Sequence, residues 1–323
     1  MPTPLSGAID LHAHYLPARY RESALAHGQD HPDGMPALPE WDLRSAIAMM
    51  DDVGIAAAAM SISSPGVAFL DSADERAALC RMINEDGAAA VAEYPDRLAV
   101  LASLPLPDVD AALAELSYAL DTLHADGVGL HTHTDGVYLG DAMLDPLLAE
   151  LDARGTVVTI HPVSPCGWEG VSFGRPRPFV EFLFDTTRAV VNLALSGALD
   201  RFPNIRWVVP HTGAALSILA DRVHRFHQLL HPPGDPDVDV LALLQRLHYD
   251  LAGVPVPRSL AALLELVGTD RLVYGSDYPF TPAATVHALA DAIAETPLLD
   301  KHSLAAATRG NAEALFPRFA SGQ

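Results

Sequence analysis

The stretch Ala8-Ile9-Asp10-Leu11-His12-Ala13-His14 is a short, mostly apolar run that predicts a buried β-strand ending in two histidines. Side chains two residues apart on a strand project from the same face, roughly 6.5–7 Å apart along the backbone. His12 and His14 can therefore point at one site just past the strand. Such a pair can bind a metal ion, but a His-x-His on an arbitrary strand is more often a pair of partly solvent-exposed polar residues without a ligand. The rest of the chain has to decide between these two interpretations.

Downstream of this strand, segments with helical periodicity alternate with short apolar segments. A stretch rich in Pro, Gly and His at 15–40 predicts a loop over the active face, and it is followed by a helix at 42–52. Predicted strands then recur along the chain, each followed by a predicted helix, at 55–62, 98–104, 127–131, 156–161, 205–211, 248–251 and 271–276. With the opening strand, this makes eight strand–helix units.

Eight such units predict a single (β/α)₈ TIM barrel with long loops on its active face and a C-terminal helix around 304–315. The continuously apolar runs at 157–160 and 207–209 suit a parallel sheet that is buried on both faces. An open, doubly wound sheet is the alternative, but no glycine-rich phosphate loop follows the first strand. No repeat or composition break marks a second domain, so residues 1–323 are expected to form one domain.

The composition narrows the range of partners. The chain has 323 residues and a formal net charge of -21, which opposes binding to nucleic acid or to an anionic membrane surface. No apolar run approaches the roughly 18–20 residues of a spanning helix, and residues 1–7 are too short and proline-rich for a secretory signal. A cytoplasmic location is therefore expected.

Cys80 and Cys166 indicate neither a disulfide framework nor a thiolate zinc site, and Cys80 is expected to be buried in a helix.

Polar residues follow several predicted strands at the end where α/β barrels place their active sites. The first strand ends in His12 and His14, the fifth in His161, the sixth in His211 and the eighth in Asp277. Imidazole nitrogens with one carboxylate form a ligand set that suits Zn²⁺ or a similar divalent ion with a position left open. This coincidence at strand ends favours the metal-binding interpretation of the opening strand.

Other histidines have simpler explanations. His224, His227 and His231 lie at helical spacings after the sixth strand and predict a solvated helix face. His131 and His133 form a second His-x-His at the end of the fourth strand. We expect His133 to lie on the rim of the barrel.

Four motifs resemble a known family. They are DLHAH at 10–14, LDPLLAELDARGTVVTIHP at 144–162, RFPNIRWVVPHTG at 201–213 and VYGSDYPF at 273–280. Together they resemble the amidohydrolase superfamily, in particular the amidohydrolase-related branch that contains aminocarboxymuconate semialdehyde decarboxylase and the salicylate-type decarboxylases. The segment FDTTRAVVNLALSG at 184–197 is most similar to members acting on small aromatic acids such as 6-methylsalicylate.

The resemblance implies one divalent metal ion, with zinc expected and manganese as the alternative. Its ligands would be His12, His14, His161 and Asp277, and His211 would act close by as acid or base. Superfamily members with two metals bridge them through a carboxylated lysine at the end of the fourth strand. The only lysine here is Lys301, in the C-terminal helical region, so a mononuclear site is expected.

The resemblance also implies how the substrate would be held. In the family, an arginine eleven residues after the sixth-strand histidine can reach the substrate carboxylate in the neighbouring subunit of a dimer. Arg222 has that position, so a homodimer or higher homo-oligomer is expected. Trp168 is a candidate lid or ring-stacking residue. The semialdehyde decarboxylase uses a further arginine before the position of Trp41, and no arginine lies between Glu22 and Trp41, which argues against that substrate.

The expected reaction is the non-oxidative decarboxylation of a small aromatic, salicylate-like or enol-type carboxylic acid. It requires a proton at the carbon that bears the carboxylate, delivered by Asp277 or His211, while the metal stabilises developing negative charge. The alternative is a hydrolase of a lactone, ester or amide, or a hydratase, in which Asp277 would be the base. Both reactions use the same ligands, so the sequence leaves the alternative open.

Overall fold

A computed structural model describes residues 5–231 and 233–320 as a barrel of eight parallel strands. The strands are β1 (Ala8–His14), β2 (Ile55–Ser61), β3 (Leu98–Ala102), β4 (Gly127–His131), β5 (Val157–His161), β6 (Arg206–Val209), β7 (His248–Asp250) and β8 (Leu272–Val273). Neighbours in the sheet follow the order of the chain, and a parallel bridge between Asp10 and Tyr274 joins the last strand to the first. The predicted (β/α)₈ barrel is confirmed.

The seam between β8 and β1 depends on a buried carboxylate. β8 has only two residues, and Asp10 Oδ1 accepts the backbone N–H groups of His12 and Ser276, each at 3.0 Å. The Asp277 N–H then donates to the carbonyl of His12 at 2.7 Å. Complete burial raises the pKa of Asp10 to about 6. The seam holds the end of β1 beside Asp277.

Helices surround the barrel, and side chains at their first residues explain where several begin. Asp42, Ser72 and Asp108 accept the N–H three residues on, as helix N-caps do. The helices are α1 (Ala18–Ala26), α2 (Leu43–Val53), α3 (Ala73–Glu93), α4 (Val109–Asp121), α5 (Asp145–Ala153), α6 (Glu181–Leu195), α7 (Ala198–Arg201), α8 (Leu216–Leu230), α9 (Val240–Gln245), α10 (Ser259–Leu264), α11 (Ala283–Glu295), α12 (Lys301–Ala305) and α13 (Asn311–Leu315). A π-helical turn, Ala306–Gly310, joins the last two.

The interpretation of 15–40 as a loop is partly wrong, because this stretch contains α1. Only Tyr20 and Ala24 of that helix are buried, so it lacks the repeated apolar positions that reveal a helix in sequence. Its first turn follows Pro17, whose fixed φ suits a helix start. The stretch still forms part of the active face, since Asp33 and Met35 line the main cavity.

Apolar side chains fill the barrel and cover its far end. Ile9 and Leu11 belong to a buried cluster that also holds Val157, Val208 and Val273, and the C-terminal residues Ala312, Leu315, Phe316 and Phe319 close it. The register of β1 against β2 is irregular between Asp10 and Ala13. At that point the strand passes from apolar packing to the polar site.

Two further expectations concern cysteines and membrane spans. Cys80 is buried in α3 as predicted, Cys166 is exposed, and both thiols are free. Among the described residues no helix has the length and apolar character to cross a bilayer. Residues 1–4, the beginning of the N-terminal segment considered above, lie outside the described residues. The cytoplasmic location stays a prediction.

Asp185 on α6 braces the ends of β4 and β5. Its carboxylate is fully buried and accepts hydrogen bonds from the Thr132 hydroxyl, from Tyr138 Oη at 2.5 Å and from Arg188 Nη1 at 2.9 Å. Thr132 in turn donates its N–H to the carbonyl of His161 at 2.9 Å. The hydrogen bonds therefore connect a helix to the strand end that carries a predicted ligand.

Replacing Asp185 should destabilise the fold. Asp185→Ala leaves the buried Thr132 hydroxyl and the half-buried Tyr138 hydroxyl without their acceptor, and we expect the free energy of unfolding to fall by about 2–4 kcal/mol in urea titrations. Asp200→Ala is the control, because Asp200 pairs with Arg246 at 3.2 Å with both side chains half exposed. It should cost less than about 1 kcal/mol. Equal losses for the two variants would contradict the assigned role of Asp185.

Candidate metal centre

Four predicted ligands converge at the carboxyl end of the barrel. One nitrogen each from His12, His14 and His161 and one oxygen of Asp277 all lie within 4.8 Å of one another. β1 supplies two of these residues, β5 supplies one, and the turn after β8 supplies the aspartate. His12 Nε2 and His14 Nε2 are buried and have no hydrogen-bond partner in the described protein. Buried nitrogens without partners are costly unless a ligand satisfies them, so the residues present fit a metal ion.

The other nitrogen of each ring is held by an acceptor. His12 Nδ1 donates to Asp250 Oδ2 at 2.7 Å, and His161 Nδ1 donates to its neighbour's carbonyl, Pro162 O, at 2.7 Å. His14 Nδ1 lies 3.3 Å from the Ser61 carbonyl. Placing the proton on Nδ1 leaves each Nε2 with a lone pair facing the common point. These contacts orient the three rings as metal-ligating histidines are usually oriented.

Asp277 faces three histidines. Its Oδ1 lies 3.2 Å from His14 Nε2 and 3.6 Å from His12 Nε2, and its Oδ2 lies 3.8 Å from His211 Nε2. Burial raises the pKa of Asp277, but His14, His211 and His12 outweigh burial and hold it well below its usual range. The carboxylate is therefore ionised near neutral pH. Its backbone has φ 59°, a conformation that few residues with side chains adopt and that is found at functional sites.

Burial and the two neighbouring carboxylates set the protonation of the rings. Burial lowers the pKa of His14 and that of His161, which keeps both rings neutral and available as ligands. Burial also acts against a charge on His12, but Asp250 and then Asp277 outweigh it and raise the pKa of His12 to about 9. The site thus attracts one positive charge at His12 Nε2. A proton and a metal cation compete for that lone pair.

His211 lies beside the four ligands at the wall of the cavity. Its ring centroid is 5.0 Å from that of His12, and its backbone N–H donates to Asp250 Oδ1 at 2.8 Å. It begins a short 3-10 turn after β6, with φ 55° at His211 and 56° at Thr212. The sequence predicted His211 close to the metal ligands, and the structure places it there.

Asp250 is a site residue that the sequence reasoning missed. It ends β7, and the criterion of polar residues at strand ends, applied to that strand, would have found it. Burial raises its pKa, but His12 outweighs burial, so the net shift is downward and the side chain stays ionised. Asp250 orients His12 and His211 and is not itself in the ligand group.

A cavity of about 560 Å³ opens onto this centre. Phe182, Phe280 and Leu183 give it apolar walls, and Ser63 and Ser64 are also part of its lining. None of the described residues that line it is a lysine or an arginine. This volume and lining suit a single-ring organic acid whose carboxylate is held by a metal ion.

The two predicted substrate-binding residues lie outside the cavity lining. Trp168 sits in a short turn of the loop after β5, and the Arg177 guanidinium lies 4.0 Å over its ring. Arg222 is on the exposed side of α8, 4.4 Å over the ring of Phe226. The structure of one chain does not bring either of them to the metal centre, and their roles stay predictions.

His133 lies beyond the end of β4, where the sequence places it, but it is not an exposed residue. Its ring is buried, with 8% of the residue exposed, and its Nε2 donates to the Ser164 carbonyl at 3.2 Å. The Gly136 N–H donates to Nδ1 at 3.2 Å. His133 lies in a two-stranded hairpin, His133–Thr134 with Val137–Tyr138, which holds the ring inward and which sequence periodicity does not reveal.

Comparison with known proteins places the chain in a family. The amidohydrolase family model matches residues 9–318. The decarboxylase yanB of Aspergillus niger is 33% identical over 325 residues, covering 96% of this chain and 88% of that protein. The 6-methylsalicylic acid decarboxylase of Penicillium expansum is 31% identical over 320 residues and 96% of each chain.

A solved structure described as amidohydrolase II superimposes with a TM-score of 0.91 at 36% identity, and covers 96% of this chain and all of that chain. The resemblance drawn from the four motifs is therefore confirmed. Because the family model spans almost the whole sequence and two relatives above 30% identity align over nearly all of it, this chain belongs to the amidohydrolase family.

Proposed function

We propose that this protein is a metal-dependent, non-oxidative decarboxylase of a small aromatic acid that carries a hydroxyl next to its carboxylate. The observation that supports it best is the convergence of His12, His14, His161 and Asp277 at the base of a cavity sized for one ring. Relatives at 33% and 31% identity are a decarboxylase and a 6-methylsalicylic acid decarboxylase. The enzyme is thus a carbon–carbon lyase.

The four converging side chains would hold one divalent ion, which we infer to be zinc, with manganese as the alternative. When bound, the ion supplies the positive charge that fixes the substrate carboxylate and its neighbouring hydroxyl and stabilises the negative charge developing on the ring. Phe182 and Phe280 flank the cavity and exclude water from the apolar part of the substrate. Asp277, held ionised, keeps its place as a ligand and orients His211 across 3.8 Å.

Decarboxylation breaks the bond between the ring carbon and the carboxylate and forms a carbon–hydrogen bond at the same carbon. His211 delivers that proton from Nε2, and Asp277, whose Oδ2 lies 3.8 Å away, is the other candidate donor. The electron pair of the broken bond takes up the proton as CO₂ departs. One proton is consumed and one CO₂ is released, so no oxidant is required.

Arg222 and Trp168 are proposed to complete the substrate site. Arg222 would reach a neighbouring subunit, because it lies on an exposed helix face beside large exposed apolar residues, Ile218 and Phe226. This arrangement supports a homodimer or higher homo-oligomer. Trp168 would act as part of a lid with Arg177, which donates to Ser164 Oγ at 3.0 Å.

We also infer that residues 1–323 act as a single domain. The strands of the one barrel run from Ala8 to Val273, and α13 covers the end of the barrel opposite the site. A cytoplasmic location is proposed from the sequence.

The reaction is tested directly with a panel of substrates. Metal-loaded protein should release one CO₂ per molecule of a 2-hydroxybenzoate such as 6-methylsalicylate, measured by trapping the gas and identifying the phenol by mass spectrometry. Benzoates without the 2-hydroxyl should react at least about a hundredfold more slowly, because one of the two groups held by the ion is lost. Turnover of lactones, esters or amides without CO₂ from any aromatic acid would establish the hydrolase alternative instead.

The metal centre is tested by graded substitutions. His12→Ala or Asp277→Ala should abolish activity and lower the metal content, measured by plasma mass spectrometry. Asp250→Asn should weaken metal affinity by about 10–100-fold, because the group that fixes the tautomer of His12 is altered. His302→Ala, an exposed histidine on α12, is the control and should retain both activity and metal. Full activity in demonstrably metal-free protein would exclude the proposal.

Sharing of Arg222 between subunits is tested by complementation. Arg222→Ala and His161→Ala should each be inactive, while hybrid dimers of the two, which contain one intact site out of two, should recover up to about half of the parent activity per dimer. The exposed neighbour Arg225→Ala should remain active and serves as the control. Mixed dimers verified by mass spectrometry that show no recovery would place Arg222 at the site of its own subunit or at none.

A further inference from the structure

We propose that His227, His231 and Asp237 form a second binding site for a divalent transition-metal ion, remote from the first four ligands and structural in role. The site lies where α8 ends and the loop towards α9 begins. It would bind an ion of the zinc class with two nitrogens and one oxygen. The bound ion would tie the last turn of the helix to that loop.

The geometry of the three side chains supports the proposal. One ligand atom from each of His227, His231 and Asp237 lies within 4.8 Å of the others. The two histidines are four residues apart, so they face the same side of the helix end, and their ring centroids are 5.2 Å apart. Two imidazoles and a carboxylate form a ligand set known for zinc, with a fourth position open to water.

His227 provides the independent observation that points to a ligand. The residue is only 7% exposed, and its Nε2 is buried with no hydrogen-bond partner in the described protein. The sequence predicted a solvated face for this histidine, and that prediction is wrong. A buried polar atom without a partner destabilises the fold, and a bound cation would remove that cost.

The loop holds Asp237 in place between two packed neighbours. Val238 is buried in the hydrophobic core, and the ring of Pro236 lies against Gly197, so close that a Cβ added there would stand 3.0 Å from Cγ. Gly197 has φ +75°, which favours glycine at that contact. The carboxylate therefore needs little further ordering to bind an ion.

The local charge favours a cation. No lysine or arginine occurs between Arg225 and Arg246, while Asp235, Asp237 and Asp239 follow one another at alternate positions. One turn earlier on α8, His224 Nδ1 lies 3.6 Å from Asp239 Oδ1 and has no hydrogen-bond partner. Asp239 also caps α9 by accepting the Ala242 N–H. Asp239 thus links α8 to α9 on the chain that carries the proposed site.

The experiment separates the two sites by removing the first. Chelator-stripped full-length protein carrying His14→Ala and His161→Ala should still bind one equivalent of Zn²⁺ per chain in equilibrium dialysis, whereas the parent protein should bind two. Adding His231→Ala or Asp237→Asn, both at exposed positions, should weaken the remaining site at least tenfold. His31→Ala is the matched control, because His31 is an exposed histidine 3.3 Å from Asp30.

Two further measurements test the second site without counting the Zn²⁺ ions that each variant binds. Co²⁺ added to the His14→Ala/His161→Ala protein should give visible absorption bands that His231→Ala removes, and Zn²⁺ should raise its melting temperature by several degrees. His231→Ala in the parent protein should leave decarboxylation unchanged. A first-site double variant that binds no Zn²⁺ while remaining folded by circular dichroism, or one whose bound Zn²⁺ is unaffected by His231→Ala and by Asp237→Asn, would overturn the proposal.

Discussion

Asp250 carries the contact on which the active face depends, because its two oxygens fix two different histidines. Oδ2 receives the ring N–H of His12 at 2.7 Å, and Oδ1 receives the backbone N–H groups of His211 at 2.8 Å and Ala252 at 3.0 Å. A buried carboxylate is stable only when its oxygens are satisfied, and here all the donors come from groups that form the site. The orientation of the His12 ring and the position of His211 are therefore coupled through one side chain of β7.

The barrel could be predicted from the sequence because most strands are short, mainly apolar runs and most helices repeat their apolar positions. The helix predicted at 42–52 is α2, Leu43–Val53, shifted by one residue at each end. The strand predicted at 271–276 is shorter, Leu272–Val273, since Asp10 instead of a neighbouring backbone bonds the N–H of Ser276. Local pattern carries no information about such a side chain from the other end of the chain. The same limit explains α1, which has too few buried residues to show periodicity.

The convergence of His12, His14, His161 and Asp277 could be predicted because a closed parallel barrel brings its strand ends together. The burial of His133 and of His227 could not be predicted from the sequence, because it depends on a hairpin and on a loop that fold over these side chains. Trp168 and Arg222 lie outside the cavity lining in a single chain. Their places in a complete substrate site depend on loop packing and on a neighbouring subunit, neither of which a sequence pattern encodes. The motif resemblance supplied those two residues, and geometry within one chain does not replace it.

The cavity without basic lining residues has a kinetic consequence. With a formal net charge of -21 and carboxylates at the mouth and floor of the cavity, the far field of the protein repels an organic anion. An organic anion is attracted only once it is close to the metal centre, within a screening length of about 8 Å at physiological ionic strength. The net charge then slows the association of the anionic substrate with the protein, and added salt should increase the association rate. The protein would distinguish one anion from another only after the anion has lost its water and entered the cavity, by the fit of its ring between the aromatic walls.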